Sequence, residues 1–178
     1  MNKLTVLPIN QSNQQHLLRP NAAFEIIGHC IALYDGEVWS HKEVLLPQKS
    51  TKCFPDETLD PAEFIDCPDK TVLFCFTETG RCAGHVRLHK NWNHLANIDD
   101  IEVEADLRGQ GIGHALINAA VEWAKAQQLK GIVLEAQDCN LLACRFYLNY
   151  GFVIGGADSL LYEATARGEK AIFFYYWF

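Results

Sequence analysis

The sequence predicts a mixed α/β fold of the α+β type, in which a mostly antiparallel sheet is flanked by helices. Strand-like segments joined by a tight turn fill residues 71–89. A strand–helix–strand–helix–strand order then follows from residue 98 to residue 177. With 178 residues and 49% hydrophobic content, the chain has the length of one domain and enough apolar side chains for a core. We therefore expect a single domain spanning residues 1–178.

The N-terminal part of the chain carries the weaker structural signals. Leu4–Pro8 has the pattern of a short strand, and Tyr34–Trp39, which contains Asp-Gly, is typical of a turn or hairpin. The segment Val44–Pro68 has prolines at positions 47, 55, 61 and 68 with acidic residues between them. This composition predicts a loop with one helical turn near Pro61–Ile65.

The remaining elements have clearer patterns. Thr71–Thr77 and Cys82–His89 are expected to pair as antiparallel strands around the turn Glu78–Arg81, and a central strand ends near Val103. The later elements are helix Gly113–Gln128, strand Gly131–Glu135, helix Leu141–Tyr150, strand Phe152–Gly155 and strand Ile172–Trp177. Helical spacing predicts one apolar face on the first helix, formed by Ala115, Leu116, Ala119, Ala120 and Trp123.

A glycine-rich loop between the central strand and the first helix is the strongest functional signal. Gly109, Gly111 and Gly113 stand where the helix begins, and helix N-termini offer unpaired N–H groups and a partial positive charge. Because glycine has no Cβ, a ligand can approach these donors closely. The loop therefore predicts a site for a phosphate or pyrophosphate group.

Spacing decides between the ligands of such a loop. A P-loop is excluded because His114 and Ala115 stand where Lys and Ser/Thr would follow the last glycine. The chain matches the dinucleotide-binding fingerprint incompletely, because His114 stands in place of the third glycine. Glu135 could nevertheless serve as the ribose-binding acid of that motif. A helix start without any ligand is a further alternative. The pattern present is Arg108-x-x-Gly111-x-Gly113.

Composition limits the partners and the compartment. The net charge of −7 argues against general binding to nucleic acid or to an anionic membrane and is compatible with a cationic substrate. The N-terminus lacks a secretion signal, and the seven cysteines contain no Cys-x-x-Cys pair, so we expect a cytoplasmic protein without zinc or another metal. Cys139 and Cys144 are candidates for reactive thiols, but the favoured interpretation is that they are buried and unreactive.

The second motif is Asn140-Leu-Leu-Ala143-Cys-Arg-Phe146-Tyr147-Leu-Asn-Tyr-Gly151-Phe152. On their own, Phe146 and Tyr147 could simply belong to the core. Combined with the glycine loop, the motif resembles the GNAT acyl-CoA-dependent N-acetyltransferases. The resemblance implies a GNAT-like twisted sheet whose splayed central strand pair holds acetyl-CoA, with the asparagine on the cofactor arm and the tyrosine hydroxyl at the sulfur. The cofactor-binding residues that it implies are Ile101, Val103, Arg108, Gly109, Gln110, Gly111, Ile112, Gly113, His114, Asn140, Ala143 and Tyr147.

Further motifs resemble the streptothricin acetyltransferases across nearly the whole chain. They are Phe24…Ile27-Gly28, Tyr34-Asp-Gly36…Trp39-Ser40, Cys67-Pro-Asp-Lys70, Asn91-Trp-Asn93, Glu122-Trp-Ala-Lys125, Leu134-Glu-Ala-Gln137 and Phe152-Val-Ile-Gly-Gly156. This resemblance implies acetyl-CoA-dependent acetylation of a streptothricin amine, on the β-lysine moiety, and hence antibiotic resistance. The alternatives are acetylation of another polyamine, amino acid or peptide amine, or a CoA-binding module without catalysis. A homodimer is considered as the assembly.

Acidic residues on the central strand are the candidates for handling the substrate amine. Acetyl transfer requires that an ammonium lose a proton, and Asp99, Asp100 and Glu102 are candidate catalytic bases or ammonium anchors. The enzymes that this chain resembles usually have Glu-Asp where it has Asp99-Asp100. The carboxylate of Asp99 therefore reaches less far than that of a glutamate. Strict alternation would place Asp99 on the apolar face, so we expect a β-bulge there.

The remaining roles are assigned to groups near these acids. Tyr147 is the candidate acid for the departing sulfur, and a backbone N–H near Val103 could stabilise the oxyanion. We expect Glu104 and Asp106 to be solvated turn acids. We also expect three histidines to lie at the surface or at the edge of the glycine loop: His85, His89 and His114.

Overall fold

A computed structural model describes residues 3–178 of the chain. In these residues the strands are, in order, β1 Thr5–Pro8, β2 Phe24–Tyr34, β3 Trp39–Lys52, β4 Lys70–Phe76, β5 Cys82–Lys90, β6 Ala96–Val103, β7 Gly131–Gln137, β8 Val153–Asp158 and β9 Ala171–Trp177. The α-helices are α1 Ile112–Ala126 and α2 Leu141–Tyr150. Short 3₁₀ turns cover Gln14–Leu18, Pro61–Glu63 and Ala105–Leu107.

These elements form two compact units. Unit 1 consists of the chain up to Ala22 together with Cys53–Ile132, and unit 2 consists of Ala23–Lys52 and Val133–Phe178. Each unit contains several strands and one of the two α-helices. The predicted mixed α/β fold class is therefore confirmed. None of the helices described in residues 3–178 has the length and apolar character needed to cross a bilayer.

Unit 1 is built on antiparallel strands in the order β1-β4-β5-β6. The predicted β4–β5 hairpin is confirmed, and its turn is closed by a hydrogen bond of 2.9 Å from the Thr77 N–H to the Arg81 carbonyl. A buried cluster forms on one face of the sheet, where Val72 and Phe74 pack with Ile9 and other apolar side chains. α1 packs against β4, β5 and β6.

The buried face of α1 differs from the one predicted. Its buried residues are Ile112, Leu116, Ile117, Ala120, Val121 and Ala124, so only Leu116 and Ala120 of the predicted set lie there. Ala115, Ala119 and Trp123 are half-buried. The face is rotated because the branched residues remove more apolar surface from water than the alanines at neighbouring positions would.

The predicted bulge in β6 is present. Arg87 of β5 pairs with Asp100, whereas the next residue, Leu88, pairs with Ile98, so Asp99 is an extra residue without a direct partner. A bulge of this kind interrupts the alternation of side chains. It brings Asp99 to the same face as Asp100 and Glu102 instead of the apolar face.

Unit 2 contains a long hairpin that corrects one prediction. The segment expected to be a loop from Val44 is strand as far as Lys52, and β3 pairs with β2 along most of its length. The register jumps between Ile26↔Ser50 and Gly28↔Leu45, so Pro47 lies in the irregular part, where no ladder hydrogen bond is required of it. The predicted helical turn near Pro61 is confirmed as a 3₁₀ turn.

The rest of unit 2 follows the predicted order. β9 lies between β7 and β8, and β8 pairs with β9 antiparallel. α2 has the predicted bounds and packs against β2. The N-terminal end of this helix is fixed by Asn140, and its C-terminal end by the left-handed residue Gly151, as expected for such caps.

Candidate active site

The glycine loop of unit 1 has the backbone conformation that its sequence requires. Gly109 and Gly111 have φ angles of 77° and 86°, which other residues adopt only with strain. A Cβ placed on either glycine would meet no atom within 4 Å, so the space beside the loop backbone is open. Gly111 is the N-cap of α1 and has no side chain to cap the helix. These features fit a group that binds the backbone N–H donors of the loop.

Side chains of the loop hold it against the end of β6. The Arg108 Nε donates to the Val103 carbonyl at 3.1 Å, and the Gln110 amide donates to the Asp106 carbonyl at 3.3 Å. Ile112 is buried in the core, so any contact it makes with a ligand has to come from its backbone. His114 is exposed, as expected.

The second group of predicted residues forms one face of β6, which we call the acid face: the side chains of Asp99, Asp100 and Glu102. Opposite them on β5 stand the alternate residues His85, Arg87 and His89. His85 is the direct cross-strand partner of Glu102, and Arg87 is that of Asp100. Ile101 and Val103 pair with Val86 and Gly84.

Histidines bind two of these acids. The His85 Nε2 lies 2.7 Å from Asp100 Oδ2, and the His89 Nδ1 lies 2.9 Å from the Asp99 carboxylate. The Asn97 amide also donates to Asp99, at 2.8 Å. The expectation of a surface position is therefore wrong for His85, whose side chain is only 13% exposed.

The two acids nearest His85 have pKa values shifted in opposite directions. Burial by itself raises the pKa of Asp100, but the hydrogen bond and charge of His85, the charge of Arg87 and the Ile101 N–H together hold it below its usual value. Burial raises the pKa of Glu102, and the charges of Asp100 and Glu104 add to this effect. The Ala22 N–H, which donates to Glu102, offsets only part of it. Asp100 is thus suited to remain ionised, and Glu102 to exchange a proton.

Of the two acids just after β6, Asp106 is exposed as predicted, whereas Glu104 is less solvated than predicted. Glu104 is 33% exposed and accepts a hydrogen bond from Arg19 at 2.7 Å. Asp106 is exposed but forms a two-point ion pair with Arg81, at 2.7 and 2.8 Å. These pairs fix the turn that leads to the glycine loop.

The second motif lies in unit 2. The Asn140 side chain accepts from the Ala143 N–H at 3.3 Å, so it caps α2 as predicted. A parallel bridge joins Asn140 to Gly28, where a Cβ would lie 2.5 Å from the Val44 carbonyl oxygen. Glycine at position 28 therefore allows the β2–β3 backbones to lie beside this motif.

Tyr147 is packed among aromatic rings. Only 6% of it is exposed, and its ring centroid lies 5.4 to 5.7 Å from those of Phe146, Phe152 and Phe174. The ring is therefore held in place by packing.

Cys139 and Cys144, at the start of the second motif, are both favoured in the thiol form. Cys139 and Cys144 are buried, and burial raises the pKa of Cys139 to about 11. The hydrogen bond with Cys30 and burial also raise the pKa of Cys144. A raised pKa disfavours the reactive thiolate.

Several hydrogen bonds between ionisable groups of unit 2 were not identified from the sequence. Asp138 is buried, accepts from the Lys170 N–H at 2.9 Å and lies 3.2 Å from His29 Nδ1. The Tyr162 hydroxyl donates to Glu135, whose pKa is raised by burial in spite of this bond. These hydrogen bonds join positions far apart in sequence, so no local pattern could have identified them. Within residues 3–178, no cluster of three or more His, Cys, Asp or Glu side chains could hold a metal ion.

Comparison with known proteins identifies the family. The model of the Acetyltransferase (GNAT) family matches residues 41–152. The chain belongs to this family. It is therefore an N-acetyltransferase, and the predicted family, fold and enzyme class are confirmed.

Individual relatives show which members of the family the chain is similar to. The chain is 33% identical to streptothricin acetyltransferase A of Bacillus subtilis (strain 168), over 97% of this chain and 99% of that protein. It is 40% identical to a streptothricin acetyltransferase of Escherichia coli, over 53% of this chain and 55% of that protein. Similarity to the streptothricin acetyltransferases is thereby confirmed.

Solved structures give the same similarity. A candidate streptothricin acetyltransferase from Bacillus anthracis str. Ames, in complex with acetyl coenzyme A, matches with a TM-score of 0.89 and 30% identity, over 99% of both chains. A nourseothricin acetyltransferase matches with a TM-score of 0.81 and 25% identity, over 97% of both chains.

Proposed function

We propose that this enzyme acetylates an amine of streptothricin with acetyl-CoA as the donor, and that the reaction confers resistance to the antibiotic. The observation that carries the proposal is the acid face, where the bulge at Asp99 brings three carboxylates together on β6. A cationic antibiotic offers ammonium groups for such a face, and attraction is stronger in a partly dry cleft than at an open surface. The names of the relatives support the same substrate.

We propose that acetyl-CoA binds through the glycine loop. The open space beside Gly109 and Gly111 fits a pyrophosphate that contacts backbone N–H groups. The complex of the Bacillus anthracis relative with acetyl coenzyme A supports this proposal. The other residues proposed to contribute are Ile101, Val103, Arg108, Gln110, Ile112, Gly113, His114, Asn140, Ala143 and Tyr147.

The acid face would prepare the amine for reaction. Bound acetyl-CoA supplies the acetyl group as a thioester. Asp100, which stays ionised, anchors the substrate ammonium, and Glu102, whose pKa is raised, accepts the proton that the ammonium must lose. Asp99 adds a third negative charge to the same face.

Two further groups would act on the thioester. A backbone N–H near Val103 stabilises the negative charge that develops on the carbonyl oxygen. The Tyr147 hydroxyl donates a proton to the departing sulfur, and the aromatic packing around its ring keeps that hydroxyl in one position.

A thiol-release assay tests the proposal. Acetyl-CoA is supplied with streptothricin, lysine, spermidine or a peptide, and tandem mass spectrometry locates the acetyl group in the product. We expect the highest kcat/KM with streptothricin and acetylation on its β-lysine moiety. A higher kcat/KM with another amine would contradict the substrate assignment, while product acetylated elsewhere on streptothricin would contradict only the position.

A second candidate is acetylation of another small polycationic amine. It is favoured by the chemistry of the acid face, because carboxylates recognise ammonium charge whatever scaffold carries it. The same assay separates the candidates, since spermidine would then exceed streptothricin in kcat/KM.

The assembly and compartment are also proposals. We propose that residues 1–178 act as one acetyltransferase domain, supported by the alignment with the Bacillus subtilis relative over nearly the whole of both chains. A cytoplasmic location is supported by the seven free cysteines and the need for acetyl-CoA. A homodimer would be tested by light scattering during size-exclusion chromatography.

A further inference from the structure

Two histidine–aspartate pairs join β5 to β6 on the acid face, and they differ in environment. His85–Asp100 is the inner pair, with 2.7 Å between Nε2 and Oδ2 and a histidine that is 13% exposed. His89–Asp99 is the outer pair, with a histidine that is 39% exposed. Asp99 has a second donor in Asn97, so loss of His89 would leave its carboxylate still held.

Register places His85 between the two acids to which we assign the chemistry. It is paired directly with Glu102, and it binds Asp100 on the diagonal. Its ring also packs against Phe74, at 6.2 Å between centroids. Buried packing and one strong hydrogen bond therefore fix the imidazole, and the imidazole in turn fixes the carboxylate.

The neighbouring cation is engaged elsewhere. Arg87 faces Asp100 across the strands, but its Nη1 lies 2.6 Å from Glu57. The charge of Arg87 helps to lower the pKa of Asp100, but the hydrogen bond of its guanidinium goes to Glu57. His85 is thus the side chain that holds Asp100 in position.

We propose that His85 is a positioning residue for amine acetylation, which holds the Asp100 carboxylate as a fixed anchor for the substrate ammonium beside Glu102. This inference rests on the proposed function and deepens it, because it assigns anchoring and proton acceptance to different acids. The substrate class is a cationic amine, whatever its scaffold.

Two substitutions at one position separate the roles of ring and donor. His85→Phe keeps the aromatic packing but removes the donor, so KM for the amine should rise roughly tenfold or more, as for loss of a hydrogen bond to a charged group. kcat should change far less, because Glu102 is left in place. His85→Gln restores an N–H donor at a similar reach, and it should recover most of the lost affinity.

The outer pair supplies the matched comparison. His89→Phe removes the equivalent donor from Asp99, which remains held by Asn97, and exposed pairs contribute little. We therefore expect a smaller rise in KM than for His85→Phe. Asp100→Asn and the double variant His85→Phe/Asp100→Asn complete a cycle in which the two effects on KM should not add, since His85 acts through Asp100.

Wild-type turnover is measured first, with streptothricin and with spermidine. Absence of turnover with every amine would overturn the proposed function itself and this inference with it. With an active wild type, three results would overturn the inference alone: unchanged KM in His85→Phe, an equal or larger effect of His89→Phe, or additive effects in the cycle. If His85→Phe does not fold, the test uses His85→Gln and Asp100→Asn instead. We expect the KM of His85→Gln to be closer to the wild-type value than the KM of Asp100→Asn is. The opposite order would also overturn the inference.

Discussion

The two units hold their predicted functional groups by different means. In unit 1 the glycine loop and the acid face depend on backbone conformation and on charge, with positive φ angles at Gly109 and Gly111 and carboxylates bound by histidines. In unit 2 Tyr147 is held by aromatic rings, and Asn140 is used as a helix cap. Substitutions in unit 1 should therefore alter ligand binding and pH dependence, whereas substitutions in unit 2 should separate a hydroxyl's chemistry from a ring's packing.

Complete loss of stabilisation by acetyl-CoA is expected for Gly111→Val in unit 1. A branched side chain is strained at a φ of 86° and would occupy the open space beside the loop. Wild-type protein should gain about 2.7 kcal/mol of unfolding free energy at an acetyl-CoA concentration one hundred times Kd. The variant should lose this gain, as measured by thermal unfolding with and without acetyl-CoA.

Gly80→Val is the matched control for this loop. Gly80 also lies in unit 1 and has a φ of 80°, and a Cβ added to it would meet no atom within 4 Å, but it belongs to the β4–β5 turn. The substitution should lower the unfolding temperature while keeping the stabilisation by acetyl-CoA. Full stabilisation of Gly111→Val by acetyl-CoA would disprove the role of the loop.

Tyr147→Phe tests the packed unit. The substitution keeps the ring contacts and removes only the hydroxyl, so kcat should fall by about 10² to 10⁴-fold while binding of acetyl-CoA persists. Tyr34→Phe, which removes an exposed hydroxyl that donates to the Gly36 carbonyl, is the control and should keep wild-type kcat. Steady-state kinetics and calorimetric titration with acetyl-CoA provide the two readings. Unchanged kcat in Tyr147→Phe would assign the tyrosine to packing alone.

Substitutions of the three acids of the acid face should change kcat and KM to different extents. Glu102→Gln should lower kcat and remove the acidic limb of its pH profile, and Asp100→Asn should mainly raise KM at every pH. In the wild type, activity should fall as the pH drops through the raised pKa of Glu102, so the midpoint lies above the usual value for glutamate. Asp99→Asn should raise KM less than Asp100→Asn, because His89, which binds Asp99, is 39% exposed, whereas His85, which binds Asp100, is 13% exposed.

Glu104→Gln is the control for the acid face, since Glu104 pairs with Arg19 in the turn. Equal, small effects at all four positions would show that substrate charge is recognised elsewhere.

The direction in which each substitution changes the free energy of unfolding provides an independent check. A carboxyl whose pKa is raised on folding opposes folding when it is ionised, so Glu102→Gln should not lower stability at pH 7. Asp100, with a lowered pKa, contributes stability at neutral pH that is lost as the pH falls through its folded-state pKa.

The smallest effect is expected at the cap of α2. Asn140→Ala removes the acceptor for the Ala143 N–H and should cost about 1 kcal/mol of unfolding free energy. Asn140→Ser keeps an accepting oxygen and should recover most of it in urea titrations. If Asn140→Ala also lowers affinity for acetyl-CoA while Asn140→Ser does not, the cap positions the cofactor arm. A loss of stability in both variants alike would contradict the capping role.

Local pattern was sufficient for much of this protein. The β4–β5 hairpin, both α-helices, the bulge at Asp99 and the cap at Asn140 were all predictable, because each depends on residues close in sequence. The bulge is informative, since an alternation that conflicts with burial indicates where a strand gains a residue. The loop and helix motifs likewise predicted the family, which the comparisons confirmed.

Tertiary contacts decided the rest. β3 was missed because Pro47 suggests a loop, and only the register jump against β2 shows how a proline is accommodated. His85 was placed at the surface because nothing local to it indicates burial; its role follows from the register that pairs it with Glu102 and from the diagonal contact with Asp100. Local sequence thus predicted most of the elements, apart from β3, and the chemical groups that they carry. Pairing between distant strands determined which of those groups meet, because hydrogen-bond geometry and pKa depend on distances that no local pattern contains.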